Sequence, residues 1–486
     1  MHATISTLGQ LKAAGYVSKS IKNELRDNLI AKLQSGQATF PNMHGYEQTV
    51  IPQLERAILS QHNINLLGLR GQGKTRIARL LLNLLDEYIP VVAGSEINDD
   101  PFNPLSRYAL DLLSEKGDAT PITWLHRTER FFEKLATPDV TIADLIGDID
   151  PIKAASLKLS YADERVLHYG MIPRANRCIF VINELPDLQA RIQVALFNIL
   201  EEGDVQIRGF KLRLPLDLQF VFTANPEDYT NRGSIITPLK DRIGSQILTH
   251  YAADIKTAKK ITAQEAQQLT QRAVEVYVPE LAKDILEQIA FEARQSPYID
   301  YKSGVSARMS ITAYENLVST AERRSILNNE KKTTVRYSDL IGMLPAITGK
   351  VELVYEGEQE GSAFVANQLI SEATKTLFLT YFPKIEKLKK QEQSTPYDAI
   401  IEWFKSVNAF ELPDEASNQT HDKALLSITP LQSFLQTYQP NVAAQDLPFL
   451  MEFVLWALVE FKQLSQTKTT GGISFNDLYN ELLKGI

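Results

Sequence analysis

The sequence predicts an α/β protein: a mainly parallel sheet covered by helices and carrying a phosphate-binding loop, then a helical lid and a mostly helical C-terminal region. Three observations carry this expectation. Short apolar runs at Asn63 to Gly68, Ile89 to Gly94, Cys178 to Asn183, Leu218 to Asn225 and Ser245 to Tyr251 are separated mostly by helical segments, the pattern of strands joined by crossover helices. The stretch Gly68-Leu69-Arg70-Gly71-Gln72-Gly73-Lys74-Thr75 stands between the first run and the apolar helix Ile77 to Leu85, the strand-to-helix setting that a phosphate loop requires. After about Asp254 the strand signals fade, and Thr262 to Gln295, Ser306 to Asn328 and Ser338 to Ile347 carry helical periodicity.

The chain has 486 residues and 44% hydrophobic content, enough for roughly three domains with real cores. Leu25 to Leu33 reads as an amphipathic helix, and a turn through Gly36, Pro41 and Gly45 leads into a second helix, Val50 to Ser60. The expected divisions are an N-terminal helical segment (1–40), the nucleotide-binding core (41–253), a helical lid (254–347) and a C-terminal region (348–486). The charged run Lys384 to Gln393 and the polar stretch Glu411 to Lys423 punctuate the last of these. Lys and Arg number 51 against 59 Asp and Glu, a formal charge of -8, which argues against affinity for a nucleic-acid backbone or an anionic membrane. One cysteine, Cys178, excludes a disulfide framework and a zinc cluster and suits the reducing cytoplasm. Met1 to Gly15 lacks the apolar core of a secretion signal, and the most apolar late stretch, Leu447 to Phe461, is interrupted by Glu452 and Glu460. A cytoplasmic protein without a membrane span is expected, with Leu447 to Phe461 as a core helix.

The chemistry gathers at the strand ends. Gly68, Gly71 and Gly73 let backbone N–H groups turn inward around phosphates, Lys74 reaches the terminal phosphates, and the Thr75 hydroxyl can ligate Mg²⁺. Gln72 and Arg76 complete the candidate nucleotide-binding stretch. Cys178-Ile179-Phe180-Val181-Ile182-Asn183-Glu184 reads as a Walker B strand whose first acid is replaced by Asn183. Glu184 is then the candidate general base, with capping of a helix near Pro186 as its structural alternative. Asn183 offers Mg²⁺ a neutral oxygen and a weaker hold. Asn225, at the end of the next run, is a candidate sensor of the γ-phosphate, although Asn before Pro is also a common turn residue. Val205, Ile207, Leu212 and Leu214 alternate on either side of Arg208-Gly209-Phe210, a β-hairpin signature. His126, His168 and His250 lie apart without paired Cys or acidic spacing, so no metal beyond Mg²⁺ is indicated.

With these residues in place, Pro41 to about Asn328 resembles the AAA+ ATPases of the MoxR and magnesium-chelatase I-subunit group. The most specific stretch is Gly170 to Leu188, where Pro173-Arg174-Ala175-Asn176-Arg177 immediately precedes the Walker B strand. Asp144 to Asp150 resembles that family's helix-2 insertion, and Val205 to Leu214 its hairpin before sensor 1. The resemblance implies an adenine-holding loop at His44, Gly45 and Tyr46, a trans-acting arginine at Arg242 and sensor 2 at Arg308. For Arg242 a surface ion pair beside Asp241 is the alternative, for Arg308 a solvated helix start, and Arg174 and Arg177 stay open between ligand, interface and structural roles. It further implies hydrolysis of ATP to ADP and phosphate by a homo-oligomeric ring, a hexamer, which remodels or activates a partner protein, one with a von Willebrand factor A domain. An arginine shared in trans makes head-to-tail contacts, which close into rings. The alternative reading is a nucleotide-controlled ring scaffold with little turnover, because Asn183 weakens the metal site. The match ends before Gly349.

Overall fold

The computed structural model describes residues 5–160, 163–207, 213–226, 234–266, 272–385, 395–407, 410–469 and 471–478. The chain forms two compact units, Met1–Tyr251 and Ala252–Ile486.

In the first unit, helices α1 (Ile21–Gln34) and α2 (Val50–Leu59) precede strand β1 (Ile64–Leu67) and helix α3 (Lys74–Leu80). Strands β2 (Phe131–Leu135) and β3 (Cys178–Asn183), helix α4 (Phe197–Glu202), strand β4 (Leu218–Ala224), helix α5 (Thr237–Arg242) and strand β5 (Ser245–Leu248) follow. The five strands form one parallel sheet in the order β5-β1-β4-β3-β2. β3 and β4, near the middle, are apolar almost throughout, as strands buried on both faces must be. Alternate residues feed different cores. Ile179, Val181 and Val221 pack with Leu25 of α1, Leu54 of α2 and Ile77 of α3. Phe180, Phe220 and Phe222 pack on the other face with Ile199 of α4 and Leu239 of α5, each ring contributing about 1.5–3 kcal/mol by burial.

One expected strand lies elsewhere. Tyr88–Val92, the core of the Ile89 to Gly94 run, pairs antiparallel with Ile122–His126 in a separate ribbon, and β2 takes the place in the main sheet. Pro90 lacks the N–H that an inner strand must donate. Glu133 and Lys134 interrupt the apolar pattern of β2, which an edge strand tolerates because it has one partner only. The expected hairpin is present as Asp204–Gln206 against Arg213–Pro215, with Val205 opposite Leu214; its Arg208-Gly209-Phe210 centre lies outside the described residues. The Asp144 to Asp150 stretch closes a short capped helix, Ile142–Leu145, and starts the strand Gly147–Ile149, which pairs with Leu167–Tyr169. The N-terminal segment is anchored by charge. Glu24 of α1 accepts two hydrogen bonds from Arg130, both at 2.6 Å, and both side chains are buried.

The second unit contains helices α6 (Glu280–Gln295), α7 (Ala307–Leu327), α8 (Ser362–Tyr381), α9 (Asn418–Leu426) and α10 (Leu447–Glu460). They share one core that includes Ile289, Leu317, Phe378 and Phe453. A three-stranded antiparallel sheet joins them, with β6 (Phe410–Pro413) beside β8 (Gly472–Asp477) and β8 beside β7 (Leu464–Lys468). That sheet is an addition to the helical expectation for 348–486. Part of the Lys384 to Gln393 run lies outside the described residues. Among the described residues, no helix is long and apolar enough to cross a membrane.

Candidate nucleotide site

The loop between β1 and α3 turns on two glycines in the left-handed region, Gly71 (φ 73°) and Gly73 (φ 74°), the second being the N-cap of α3. Gly68 is required for another reason: a Cβ there would collide with the Thr249 hydroxyl and the Gln72 amide oxygen. The same two side chains are bonded, Thr249 Oγ1 donating to Gln72 Oε1 at 2.7 Å. Tyr46 Oη lies 2.7 Å from the Gln72 carbonyl oxygen and 2.8 Å from that of His250, and Tyr251 Oη donates to the Arg70 carbonyl at 2.8 Å. Tyr46 and the residues just after β5 therefore hold the outer wall of the loop by its own backbone. Burial pushes the Tyr46 phenol up to about 12, keeping it a neutral donor, with the hydrogen bond to His250 opposing the shift. His44 and Gly45 beside it are half-buried.

Lys74, the first residue of α3, is buried, and its Nζ donates to Asn225 Oδ1 at 2.6 Å, to the Leu69 carbonyl at 3.1 Å and to the Gly68 carbonyl. Asn225 follows β4 directly and is 8% exposed. Its Nδ2 donates to Glu184 Oε2 at 2.9 Å, so one amide joins the loop lysine to the acid after β3. Glu184 sits at φ 55°, ψ 51°, a left-handed conformation that costs a side-chain-bearing residue about 1–2 kcal/mol and persists only where its surroundings impose it. It is the N-cap residue of the turn Leu185–Asp187, to which its side chain makes no capping bond. Its backbone N–H donates to Thr223 Oγ1 at 3.1 Å.

Thr223 continues the chain of hydrogen bonds toward the sheet edge. Its hydroxyl donates to Asn183 Oδ1 at 3.1 Å, Asn183 Nδ2 donates to Glu133 Oε1 at 2.6 Å, and Arg79 of α3 bonds Glu133 Oε2 at 2.8 Å. Lys74, Asn225, Glu184, Thr223, Asn183 and Glu133 thus form one connected series across β4, β3 and β2. Glu133 and Thr223 were not singled out by the sequence. The signal for Glu133 was an acid inside the apolar frame Phe131-Phe132, but only strand register brings it beside Asn183. Thr75 and Arg76 are half-buried on the first turn of α3. The Thr75 hydroxyl, the Asn183 amide oxygen and nearby carboxylates are hard oxygen donors, a set that suits Mg²⁺ completed by phosphates and water. Among the described residues no group of His, Cys, Asp and Glu forms an all-protein metal cage.

The arginines are dispersed. Arg242 ends α5, where both Nε and Nη2 lie 2.8 Å from Glu201 Oε2 of α4, Nη1 donates to the Pro238 carbonyl at 3.0 Å, and the guanidinium stands 5.0 Å from the Phe197 ring centroid. Arg308, exposed in the first turn of α7, belongs to the second unit; its backbone N–H donates to the Ser306 side chain. Arg177 is buried with Nη1 on the Pro90 carbonyl, a framework role. Arg174 is exposed, and its Nε donates to the Gly170 carbonyl at 3.3 Å.

No family model matches the chain. Similar solved structures include a Cytophaga hutchinsonii protein ascribed ATPase activity, at 17% identity over 75% of this chain and 97% of that one, TM-score 0.29. The complex of magnesium-chelatase subunits BchI and BchD is 19% identical over 66% of this chain and 98% of that one, TM-score 0.35. NtrX from Brucella abortus in complex with ADP is 14% identical over 88% of this chain and 72% of that one, TM-score 0.35.

Proposed function

We propose that the chain is a Mg²⁺-dependent ATPase of the AAA+ type that works as a head-to-tail ring and remodels or activates a partner protein. The observation that carries this reading is the direct link from Lys74 through Asn225 to Glu184 at 2.6 and 2.9 Å. Loop lysine, polar strand tip and a strand-end acid are three of the parts that phosphoryl transfer to water uses. Inward N–H groups of residues 71–75 hold the phosphates, and Lys74 exchanges Asn225 and the loop carbonyls for phosphate oxygens. Asn225 then stands between the γ-phosphate and Glu184, orienting the acid with its Nδ2. Glu184 takes a proton from the attacking water as its oxygen bonds to the γ-phosphorus and the bond to the β-bridging oxygen breaks, leaving ADP and phosphate. Mg²⁺, held by Thr75 and Asn183, would neutralise charge on the β- and γ-phosphates.

The ring rests on Arg242. Its guanidinium is paired with a half-exposed acid, Glu201, which a neighbour's phosphates can replace, and an arginine supplied in trans is worth roughly 10³ to 10⁵ in rate. The resemblance to the MoxR and magnesium-chelatase group supports hexameric closure, Arg308 as the lid's contact to the γ-phosphate, His44 to Tyr46 around adenine, and a partner with a von Willebrand factor A domain. Asn183 favours a second reading, a nucleotide-controlled scaffold with little turnover. Calorimetric titration and steady-state phosphate release decide. Lys74→Ala is expected to abolish ATP binding. Binding by wild type without turnover selects the scaffold, and undiminished affinity of Lys74→Ala sinks both.

A further inference from the structure

The nucleotide reading leaves one charge unexplained: the acid beside the neutral Asn183. Glu133 stands on β2 opposite Val181 of β3, with Leu135 opposite Asn183, so side-chain alternation puts Glu133, Val181 and Asn183 on one face of the sheet. That face is the one covered by α3, the helix that carries Lys74 and Thr75, since Val181 shares its core with Ile77 and Arg79 reaches Glu133. Glu133 has about a quarter of its side chain exposed, whereas Arg79 is 62% exposed. The ion pair between them is therefore a surface pair, weak and easily exchanged. The contact at 2.6 Å between Glu133 Oε1 and Asn183 Nδ2 does more. It fixes the amide with its nitrogen toward β2 and its oxygen toward Thr223, which donates to it. An amide whose N–H leans on a carboxylate carries more negative charge on its oxygen.

Resting on the nucleotide reading above, we propose that Glu133 supplies from the neighbouring strand the negative charge that the Walker B position lacks, acting through Asn183 as a positioning residue for Mg²⁺. The acid has moved one strand toward the sheet edge, and Asn183 relays it. Removal of such an outer-shell partner typically lowers metal affinity 10–100-fold.

The test measures binding, apart from turnover: a non-hydrolysable ATP analogue is titrated calorimetrically into the full chain, with Mg²⁺ and with a chelator. Glu133→Gln, which keeps shape and removes charge, is expected to lose about tenfold of the affinity gain that Mg²⁺ provides and to bind the Mg²⁺-free analogue as wild type does. Asn183→Asp alone is expected to give no gain, because two carboxylates in contact repel and one takes up a proton. The double variant, with the acid moved back to β3, is expected to recover wild-type Mg²⁺ dependence. Arg79→Ala, which frees Glu133 from its competing cation without touching the loop, is expected to increase the Mg²⁺ gain, a sign that simple loss of packing would not give. An unchanged Mg²⁺ dependence in Glu133→Gln, or a gain in Asn183→Asp alone, overturns the inference and leaves the nucleotide site standing. If Glu133→Gln does not fold, a decreased or unchanged Mg²⁺ gain in Arg79→Ala overturns it. Absence of analogue binding by wild type overturns the nucleotide reading itself.

Discussion

Two polar networks, one in each unit, use similar residues toward opposite ends. The strand-end series of the first unit contains a left-handed glutamate, a lysine held on loop carbonyls and an edge-strand acid with partial exposure. In the second unit Arg324 and Asp339 are 3% and 5% exposed and meet through two bonds, at 3.2 and 2.9 Å. Arg324 also bonds the Thr334 carbonyl and the Asn418 side chain, and Asp339 accepts from the backbone N–H of Arg336 at 2.8 Å. Next to them His421 Nε2 lies 2.6 Å from Glu452 Oε1, and the Ser338 backbone N–H donates to Glu452 Oε2 at 2.9 Å. A buried charge whose hydrogen-bonding capacity is filled fixes one arrangement of its neighbours. A strained, half-exposed one retains the freedom to exchange partners for a ligand. The first network is thus built for exchange and the second for permanence.

The largest expected effect tests the first half of that contrast. Glu184→Gln should lower turnover by about 10² to 10⁴, the usual worth of a general base, while the affinity for ATP is retained. Glu184→Gly should lower turnover likewise, yet raise the stability of the first unit by up to about 1 kcal/mol, because glycine takes φ 55° without strain. Phosphate release and thermal melts of the two variants check this together. A destabilised glycine variant would mean that the Asn225 contact outweighs the strain and that the site is structural after all.

The second network should respond in reverse. Asp339→Ala leaves Arg324 buried without its acid, and stability should fall by about 3–5 kcal/mol. Chemical denaturation measures it. Analogue binding by the fraction that remains folded should be unchanged. A loss of affinity with intact stability would erase the distinction between the networks.

How much of this was legible in the sequence follows from the range of the interactions. The loop from Gly68 to Thr75 and the end of β3 were readable because their chemistry is local: glycine at positive φ, a lysine at a helix start, an acid at a strand tip. The link from Lys74 to Asn225 joins residues far apart in the chain, yet each is legible by itself, Lys74 at a helix start after the glycines and Asn225 at the end of an apolar run. Glu133 was not found, because its role depends on the register of β2 against β3, and its own strand looked too polar. Ile89 to Gly94 was expected in the sheet for the opposite reason, an apolar run whose Pro90 excludes an inner position. In the sequence Glu452 is an interruption of an apolar helix; its partners come from residues near 338 and 421, which periodicity does not connect. The strands β6, β7 and β8 are short and mix a few apolar residues, Phe410, Leu412, Leu464, Ile473 and Phe475, with Glu, Ser, Gln, Thr and Asn, too brief an alternation to mark a sheet.

A pH series sharpens the contrast by a smaller amount. Burial opposes the charged form of His421, but the Glu452 charge and the hydrogen bonds to Asp422 and Glu452 overcome it, so the imidazole is held above its ordinary value, with Arg336 opposing. Burial likewise opposes the charge on Glu452, and His421, the Ser338 N–H and Arg336 overcome it, so that carboxyl is held below the ordinary range. A raised histidine contributes fully below its unfolded value of about 6.5 and loses the contribution as pH rises through its folded value; a lowered glutamate contributes above about 4.5 and loses it as pH falls. The pair is therefore most stabilising between about pH 4.5 and 6.5. The difference in melting temperature between wild type and His421→Gln should be largest near pH 5.5 and smaller at pH 8.5. An equal difference at both would make the contact a neutral hydrogen bond.

The smallest effect concerns the wall of the phosphate loop and decides how Tyr46 acts. Its hydroxyl is within 2.8 Å of two backbone carbonyls, Gln72 and His250, and its ring meets the His250 ring edge-on at 4.9 Å. Tyr46→Phe keeps the ring contact and removes the hydroxyl that reaches the Gln72 carbonyl, leaving that of Tyr251 on the Arg70 carbonyl. A hydrogen bond of this kind is worth about 0.5–1.5 kcal/mol, so the loop should hold its phosphate-binding shape less firmly and the ATP dissociation constant should rise about two- to tenfold. ATP, ADP and inorganic triphosphate should all weaken alike, because a wall that shapes the loop acts on phosphates whatever base they carry. If instead ATP weakens and triphosphate does not, Tyr46 acts on adenine, as the family resemblance implies for His44, Gly45 and Tyr46. In that case its place belongs with the groups that exchange partners for a ligand, and the line between exchange and permanence would run through the loop wall itself.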